Sequence, residues 1–273
     1  VIDLTPILIH LPAWAMVLAR LTGLFLLAPL LGSQAIPRMT KVFLAVTLSL
    51  CVYPALITPG HPAAPGAAAL WNGGLELWTL LPAVAMELLL GFVVGYAASL
   101  PLVGMQMAGH LVDQQMGLGL AGIYNPELNE QSSIVGEFLF MTGLAMFCIV
   151  GGHHAMFGVL LESFAHVPLG GFADPLPIVQ LALGLISVSF ELALRVAAPL
   201  LCLMFLLSVA MGFIARTVPQ MNILSVGFAV RIIAGVGFLA VCVPLVGPVL
   251  LQAMHEAFEA IRSLWPQLAS SRQ

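Results

Sequence analysis

Hydrophobic residues in this 273-residue chain come in long unbroken blocks and do not alternate with polar ones. Six blocks stand out: Leu11 to Leu31, Val42 to Ile57, Trp78 to Leu100, Ile134 to Leu161, Leu176 to Ala215 and Ile223 to Leu251. A helix needs about 20 apolar residues, at about 1.5 Å of rise each, to cross a bilayer. By that measure the second block is marginal and the fifth is nearly two spans long, with Pro199 placed to kink it. Strands of a membrane barrel alternate between lipid-facing and lumen-facing side chains, which these blocks do not do. The pattern predicts an all-α chain on a six-span path.

Between the blocks lie segments with turn chemistry. "TPGHPAAPGAAALWNGG" is rich in Pro, Gly and Ala and reads as a loop, as does "HVPLGGFADPLP" before the fifth block. The second of these is the natural boundary between an N-terminal part, 1–170, and a C-terminal part, 171–273. A third segment, "DQQMGLGLAGIYNPELNEQSS" from Asp113 to Ser133, is different in kind. It carries Gly117, Gly119, Gly122, Pro126 and three acids with no lysine or arginine, and Met105, Met107 and Met116 cluster at its start.

Composition turns the pattern into an environment. Only 7% of residues are charged and 61% are hydrophobic, whereas a soluble domain has about a quarter charged. An integral membrane protein fits, or a subunit buried on most sides by membrane and partners. The apolar run after Val1 lacks the basic leader and small-residue cleavage site of a signal peptide and is not expected to be one. No basic patch offers a surface to nucleic acid.

The charges are distributed unevenly. No Lys or Arg occurs from Val42 to Leu194, a stretch that holds nine acids. Residues 1–41 hold three basic groups against one acid, and residues 195–273 five against two. Basic loops favour the cytoplasm, so on a six-span path Arg38, Lys41 and Arg216 fall on one side. The Asp113–Ser133 segment falls there too, without a basic residue.

Charges inside apolar blocks need partners. Glu191 and Arg195 stand four apart, acid first, a spacing that brings them together on a helix; a self-neutralising pair is the plain reading. Arg20, Glu87 and Arg231 lack a local partner and must reach another helix, another chain or water. Cys51, Cys148, Cys202 and Cys242 are too far apart for a zinc or redox site and are expected to be buried small apolar residues. His153 and His154 lie beside a glycine pair, with Glu162 and His166 eight or more residues on; a helix-end or packing role fits better than a metal site. No nucleophile-elbow, H-E-x-x-H or phosphate-loop pattern is present. No catalytic chemistry and no cofactor are expected. Two rival classes remain: a transporter or channel with Glu87, Glu191 and Arg195 along an ion path, or a membrane enzyme built on His153, His154 and Glu162.

Four stretches, taken in order, carry a resemblance. "LLGSQAIPRMTKVFLAV" holds Ile36, Pro37 and Arg38. "AGHLVDQQMGLGLAGIYNP" holds Ala108 and Gly109, then Gln115, Met116 and Gly117. "GGHHAMFGVLLESF" holds Gly152, His153, Ser163 and Phe164. "ARTVPQMNILSVGFAVRI" holds Arg216, Pro219, Gln220, Met221, Asn222, Gly227, Phe228 and Arg231. Together they resemble the FliR family, the flagellar type III export-gate subunit, whose injectisome relatives are called SctT. Ala229, Val230 and Arg231 stand where the family often has Pro-Leu-Lys, and Asn125–Pro126 where it often has Asp-Pro.

The resemblance implies bent helical hairpins largely raised out of the bilayer, with a FliP-like N-terminal part and a FliQ-like C-terminal part. It implies FliP- and FliQ-like partner subunits in a hetero-oligomeric gate, with FlhB- and FlhA-like proteins beside it. The place implied is the bacterial inner membrane at the flagellar basal body, and the substrates are unfolded flagellar proteins. Within 110–133 it points to Gln115, Met116, Gly117, Leu118, Gly119, Leu120 and Gly122 as a pore plug. There the glycines would permit sharp turns, and Met116, Leu118 and Leu120 would fill the lumen. Arg216 and Pro219 to Asn222 are expected to form the turn between two C-terminal helices, with Asn222 a possible N-cap. Glu191, Arg195 and Arg231 are expected to make inter-helix or inter-subunit ion pairs.

Overall fold

The computed structural model describes residues 5–33, 36–58, 77–118, 133–170, 175–218 and 223–270. Among these residues there are seven α-helices and no strand. They are α1 (Thr5–Leu27), α2 (Arg38–Ile57), α3 (Leu77–Met116), α4 (Ile134–Ile149), α5 (Gly152–His166), α6 (Pro175–Thr217) and α7 (Ile223–Ser270). The all-α expectation is met. Five helices are long and apolar enough to cross a membrane, and a sixth span results if the bent pair α4–α5 is taken as one.

Three elements depart from the hydropathy blocks, each for a local reason. Helix α3 runs on past Leu100 because Gln106, His110, Asp113 and Gln114 lower hydropathy without breaking a helix; the backbone turns only at Gly117, where φ is 81°. The fourth block is two helices bent by 66°, since Gly151 takes φ 78°, a conformation in which no helix continues. Helix α7 extends to Ser270 because its last turns are amphipathic. Met254, Phe258, Ile261, Trp265 and Leu268 recur every three or four residues and are buried, so only the opposite face reads as polar. Helix α6 passes through Pro199 as one helix.

The chain divides into two compact units that interleave along the sequence. The first comprises Val1–Ser99, Gly151–Leu185 and Glu256–Gln273; the second comprises Leu100–Val150 and Ile186–His255. Helices α3, α6 and α7 contribute residues to both.

In the first unit α1 and α2 form an antiparallel pair. Trp14 Nε1 donates to Ser49 Oγ at 3.1 Å, and the His10 and Tyr53 side chains meet at 2.9 Å, so four residues up one helix match four down the other. Helix α1 also packs on α3 with almost nothing between the backbones. A Cβ on Gly91 would strike the Arg20 carbonyl, and one on Gly23 would strike that of Leu88. Gly91 and Gly95 thus act as a small-residue contact of the G-x-x-x-G kind. In the second unit α3 and α4 cross in the same way, Gly109 lying against the backbone of Gly136.

Helices α3, α6 and α7 contain 40, 43 and 48 residues, or about 60 to 70 Å at the helical rise. A bilayer core is about 30 Å thick. Their apolar length therefore exceeds what lipid alone can cover in one pass. Only 22% of the apolar window is buried in α6 and in α7, and 17% in α2. Cys51 and Cys202 belong to these uncovered faces: both are exposed, against the expectation of burial, while Cys148 and Cys242 are half-buried. Periodicity cannot separate a core-facing position from a lipid- or partner-facing one, since both are apolar.

Candidate functional site

The Q-M-G signature is the end of a helix. Gln115 and Met116 complete α3, and Gly117 ends it with its left-handed φ. The Gly117 N–H donates to the Gln114 carbonyl at 3.3 Å, and the Leu118 N–H donates to the Asp113 carbonyl at 3.2 Å. These two bonds make a Schellman cap, which needs a residue without a Cβ at the Gly117 position. Gln115 is exposed, Met116 is buried, and Gly117 and Leu118 are half-buried. Gly119, Leu120 and Gly122 lie outside the described residues, as do Pro219, Gln220, Met221 and Asn222 of the turn motif.

The Asp113 side chain, buried to 5% exposure, reaches from this helix end to the start of α4. Its carboxylate accepts a short hydrogen bond from the Ser133 hydroxyl and another from the Val135 N–H, at 3.2 Å to Oδ2. Ser133 is the N-cap of α4, its Oγ accepting from the Gly136 N–H at 2.8 Å. Two of the four orphan donors at that helix start are thus satisfied, one of them from another helix. The positive end of the helix dipole also faces the carboxylate. Chain leaves this point at Leu118 and returns to it at Ser133.

Met116 is rooted beside the same place. A Cβ on Gly235 of α7 would sit 2.7 Å from the Met116 Cε and 2.7 Å from the Met204 Cε of α6, so the missing side chain is the socket for both thioethers. The contact recurs along α7, where Met211 lies against Gly227 and Met146 against Gly247. Methionine, unbranched and polarisable, fills such irregular gaps.

In the first unit Arg20 and Glu87, which sequence alone left without partners, find each other. Arg20 Nε donates to Glu87 Oε2 at 2.5 Å, and the two side chains are 0% and 2% exposed. Both terminal nitrogens are also bonded: Nη1 donates to Ser163 Oγ at 3.0 Å and Nη2 to the Val167 carbonyl at 3.2 Å. Glu87 Oε1 accepts from the Gly170 N–H at 3.0 Å. The guanidinium also lies 4.3 Å above the Phe164 ring, a cation–π contact. The Ser-Phe pair at Ser163 and Phe164 is thus the receptor for a buried arginine. A signal for it was present: Glu87, Gly91 and Gly95 repeat every four residues on one face of α3, and Gly23 follows Arg20 by three on α1.

Arg195 donates to Glu191 Oε1 at 2.5 Å within α6, with the pair more than half exposed. Arg231 donates to Ser208 Oγ at 3.1 Å, and its buried Nε has no partner among the described residues. Arg216 is exposed at the end of α6. His153 and His154 occupy the first turn of α5 with rings 4.1 Å apart. Glu162 is held at 3.1 Å by Arg262, which also bonds Glu259. Among the described residues no three potential ligands gather around a metal position. These arrangements clamp helix ends, neutralise interior charge and leave apolar faces open.

Comparison with known proteins accounts for this architecture. Flagellar biosynthetic protein FliR of Bacillus subtilis (strain 168) is 26% identical over 258 residues, covering 93% of this chain and 94% of its own. The FliR of Escherichia coli (strain K12) is 26% identical over 253 residues, 92% of each chain. Yop proteins translocation protein T of Yersinia pestis is 25% identical over 221 residues, 80% of each. The model of the family described as bacterial export proteins, family 1, matches residues 11–257, which include both the Arg20–Glu87 network and the Asp113 clamp, and the chain belongs to that family.

Proposed function

We propose that this chain is a non-catalytic subunit of the flagellar type III protein export gate, helping to form and close the channel that passes unfolded flagellar proteins across the inner membrane. The observation that carries this reading is the family match over residues 11–257 together with FliR relatives aligned over more than nine-tenths of the chain. The helix lengths support it as well. Apolar helices twice as long as a bilayer is thick need protein around them, and FliP- and FliQ-like subunits are the partners proposed. FlhB- and FlhA-like proteins complete the apparatus, with 1–170 the FliP-like part and 171–273 the FliQ-like part.

Gln115 to Gly122 form the plug in this reading. Met116 roots it, Gly117, Gly119 and Gly122 allow its turns, and Leu118 and Leu120 supply apolar filling that yields to a passing chain and closes behind it. Arg231, whose Nε has no partner among the described residues, and the exposed Glu191–Arg195 pair meet charges of neighbouring subunits in this reading. Arg216 and Pro219 to Asn222 serve as the turn between α6 and α7.

A mass-resolved pull-down of the native complex tests the assembly: FliP- and FliQ-like chains are expected, and their absence overturns the reading. Deleting Gly117–Gly122 tests the plug, with raised ion leakage expected and unchanged conductance and secretion counting against it. The match to Yop proteins translocation protein T favours an injectisome as the second reading. Loss of motility in a deletion strain selects the flagellum, and loss of effector secretion alone selects the injectisome.

A further inference from the structure

We propose that α2 is the element through which this chain meets lipid: its outer face lies against acyl chains, and Arg38 and Lys41 at its start sit among anionic headgroups. This goes beyond the export-gate reading, since it concerns what covers one helix and not what the gate passes. Length is the first ground. With 20 residues, α2 is about 30 Å long, the thickness of a bilayer core, whereas α3, α6 and α7 overrun that thickness. Charge follows the same ruler. Arg38 and Lys41 occupy the first turn, and no charged residue follows through Thr58. Lys41 Nζ donates to the Gly32 carbonyl at 3.1 Å, which leaves the ammonium two further donors, and Arg38 is exposed. Basic groups at one end of an apolar span attract anionic lipid.

Beyond that basic turn, the hydroxyls of α2 are bonded back to protein. Thr47 Oγ1 donates to the Phe43 carbonyl at 2.8 Å, Ser49 Oγ to that of Val46 at 2.7 Å, and the Tyr53 hydroxyl to that of His10 at 3.1 Å. Hydrocarbon demands this, because no water is there to take an open hydrogen bond. Side-chain size points the same way. Where helices of this chain meet closely they do so through glycine, as Gly91 on Arg20 and Gly109 on Gly136, the usual device for bringing helices together in membranes. Of the seven described helices, α2 alone contains no glycine. Its buried Ala45 and Ser49 face inward, Ser49 bonded to Trp14 of α1. Met39, Phe43 and Leu50, one stripe at i, i+4 and i+11, are 71%, 69% and 56% exposed. Acyl chains flow around such a ridge, whereas a neighbouring helix is held off by it.

The test places a benzophenone amino acid at Phe43 or Leu50 of the full chain. Native membranes are irradiated before solubilisation, and adducts are read by mass in the chain recovered with its partner subunits. Phospholipid adducts are expected at both positions. Protein adducts at both overturn the inference and assign the face to a neighbouring subunit, leaving the gate reading intact. The headgroup half is read with the same probe at Met39, in vesicles of phosphatidylcholine and phosphatidylglycerol. Phosphatidylglycerol adducts should exceed their share of the mixture. Arg38→Gln and Lys41→Gln should each lower that excess by up to about fivefold, while Arg38→Lys keeps it. Inorganic phosphate added at constant ionic strength should leave the ratio unchanged. A ratio equal to the bulk mixture in the unaltered chain overturns the headgroup assignment, and so does one that free phosphate abolishes.

Discussion

Arg20 is fully buried, where a lone guanidinium is tolerated only against an opposite charge. Glu87, 67 positions away in sequence, supplies it, and Ser163, Val167 and Gly170 add further hydrogen bonds to the pair. Breaking such a pair from one side is worth about 3 to 5 kcal/mol, since the surviving charge has nowhere to go. Glu87→Ala should therefore destabilise the chain by that amount, read as lost resistance to pulse proteolysis across a denaturant series. Adding Arg20→Met to Glu87→Ala should restore stability in part, because the stranded cation is gone. A double variant that is weaker than Glu87→Ala would show that the two charges are not coupled. Both residues were visible in the sequence as interior charges in need of partners. What was not legible was the pairing, because the two blocks could have been joined in many ways. The glycines at 23, 91 and 95 held the missing information, as only a backbone-close crossing places those groups within reach.

At the scale of the element, the six hydropathy blocks fell on the helices but merged α4 with α5 and misplaced the ends of α3 and α7. The fourth block looked like one span because isoleucine, valine and glycine at 149–152 are as apolar as what surrounds them. Backbone geometry decides there: Gly151 has φ 78° and opens the bend between α4 and α5. Alanine in a left-handed conformation is disfavoured by about 1 to 2 kcal/mol, so Gly151→Ala should lower the unfolding free energy by that amount, read from the shift in denaturant midpoint, while Gly151→Asn should lose less. Gly158, inside α5 with nothing within 4 Å of where a Cβ would stand, is the internal control. Gly158→Ala should be neutral or gain up to about 1 kcal/mol of helix propensity. Equal losses at 151 and 158 would mean that the bend is not held by glycine. The end of α3 carries the same lesson. The Q-M-G motif was legible as a special place, but its cap was not, since the bond from Leu118 to Asp113 depends on a dihedral and not on a residue type.

For the whole molecule, the sequence made the non-aqueous environment plain and left open what supplies it. Helices α6 and α7 present Phe205, Phe213, Ile233, Val241 and Leu245 at two-thirds exposure or more. Lipid and a neighbouring subunit select for the same side chains there, so neither periodicity nor charge could tell them apart. Small residues can. A Cβ on Gly212 of α6 or on Gly237 of α7 would meet no atom of the described residues within 4 Å, so a larger residue at either is expected to be tolerated by the isolated chain. Lipid tails would rearrange around it. A packed helix from another subunit would not, since overfilling a close-packed contact costs about 1 to 3 kcal/mol, or roughly 5- to 150-fold in association. Gly212→Leu and Gly237→Leu should therefore leave expression and protease resistance of the chain unchanged while lowering recovery of FliP- and FliQ-like chains on native gels by at least about fivefold. Full recovery of the complex with both substitutions would assign these faces to lipid, and the length of α6 and α7 beyond the bilayer would then need cover from some other source.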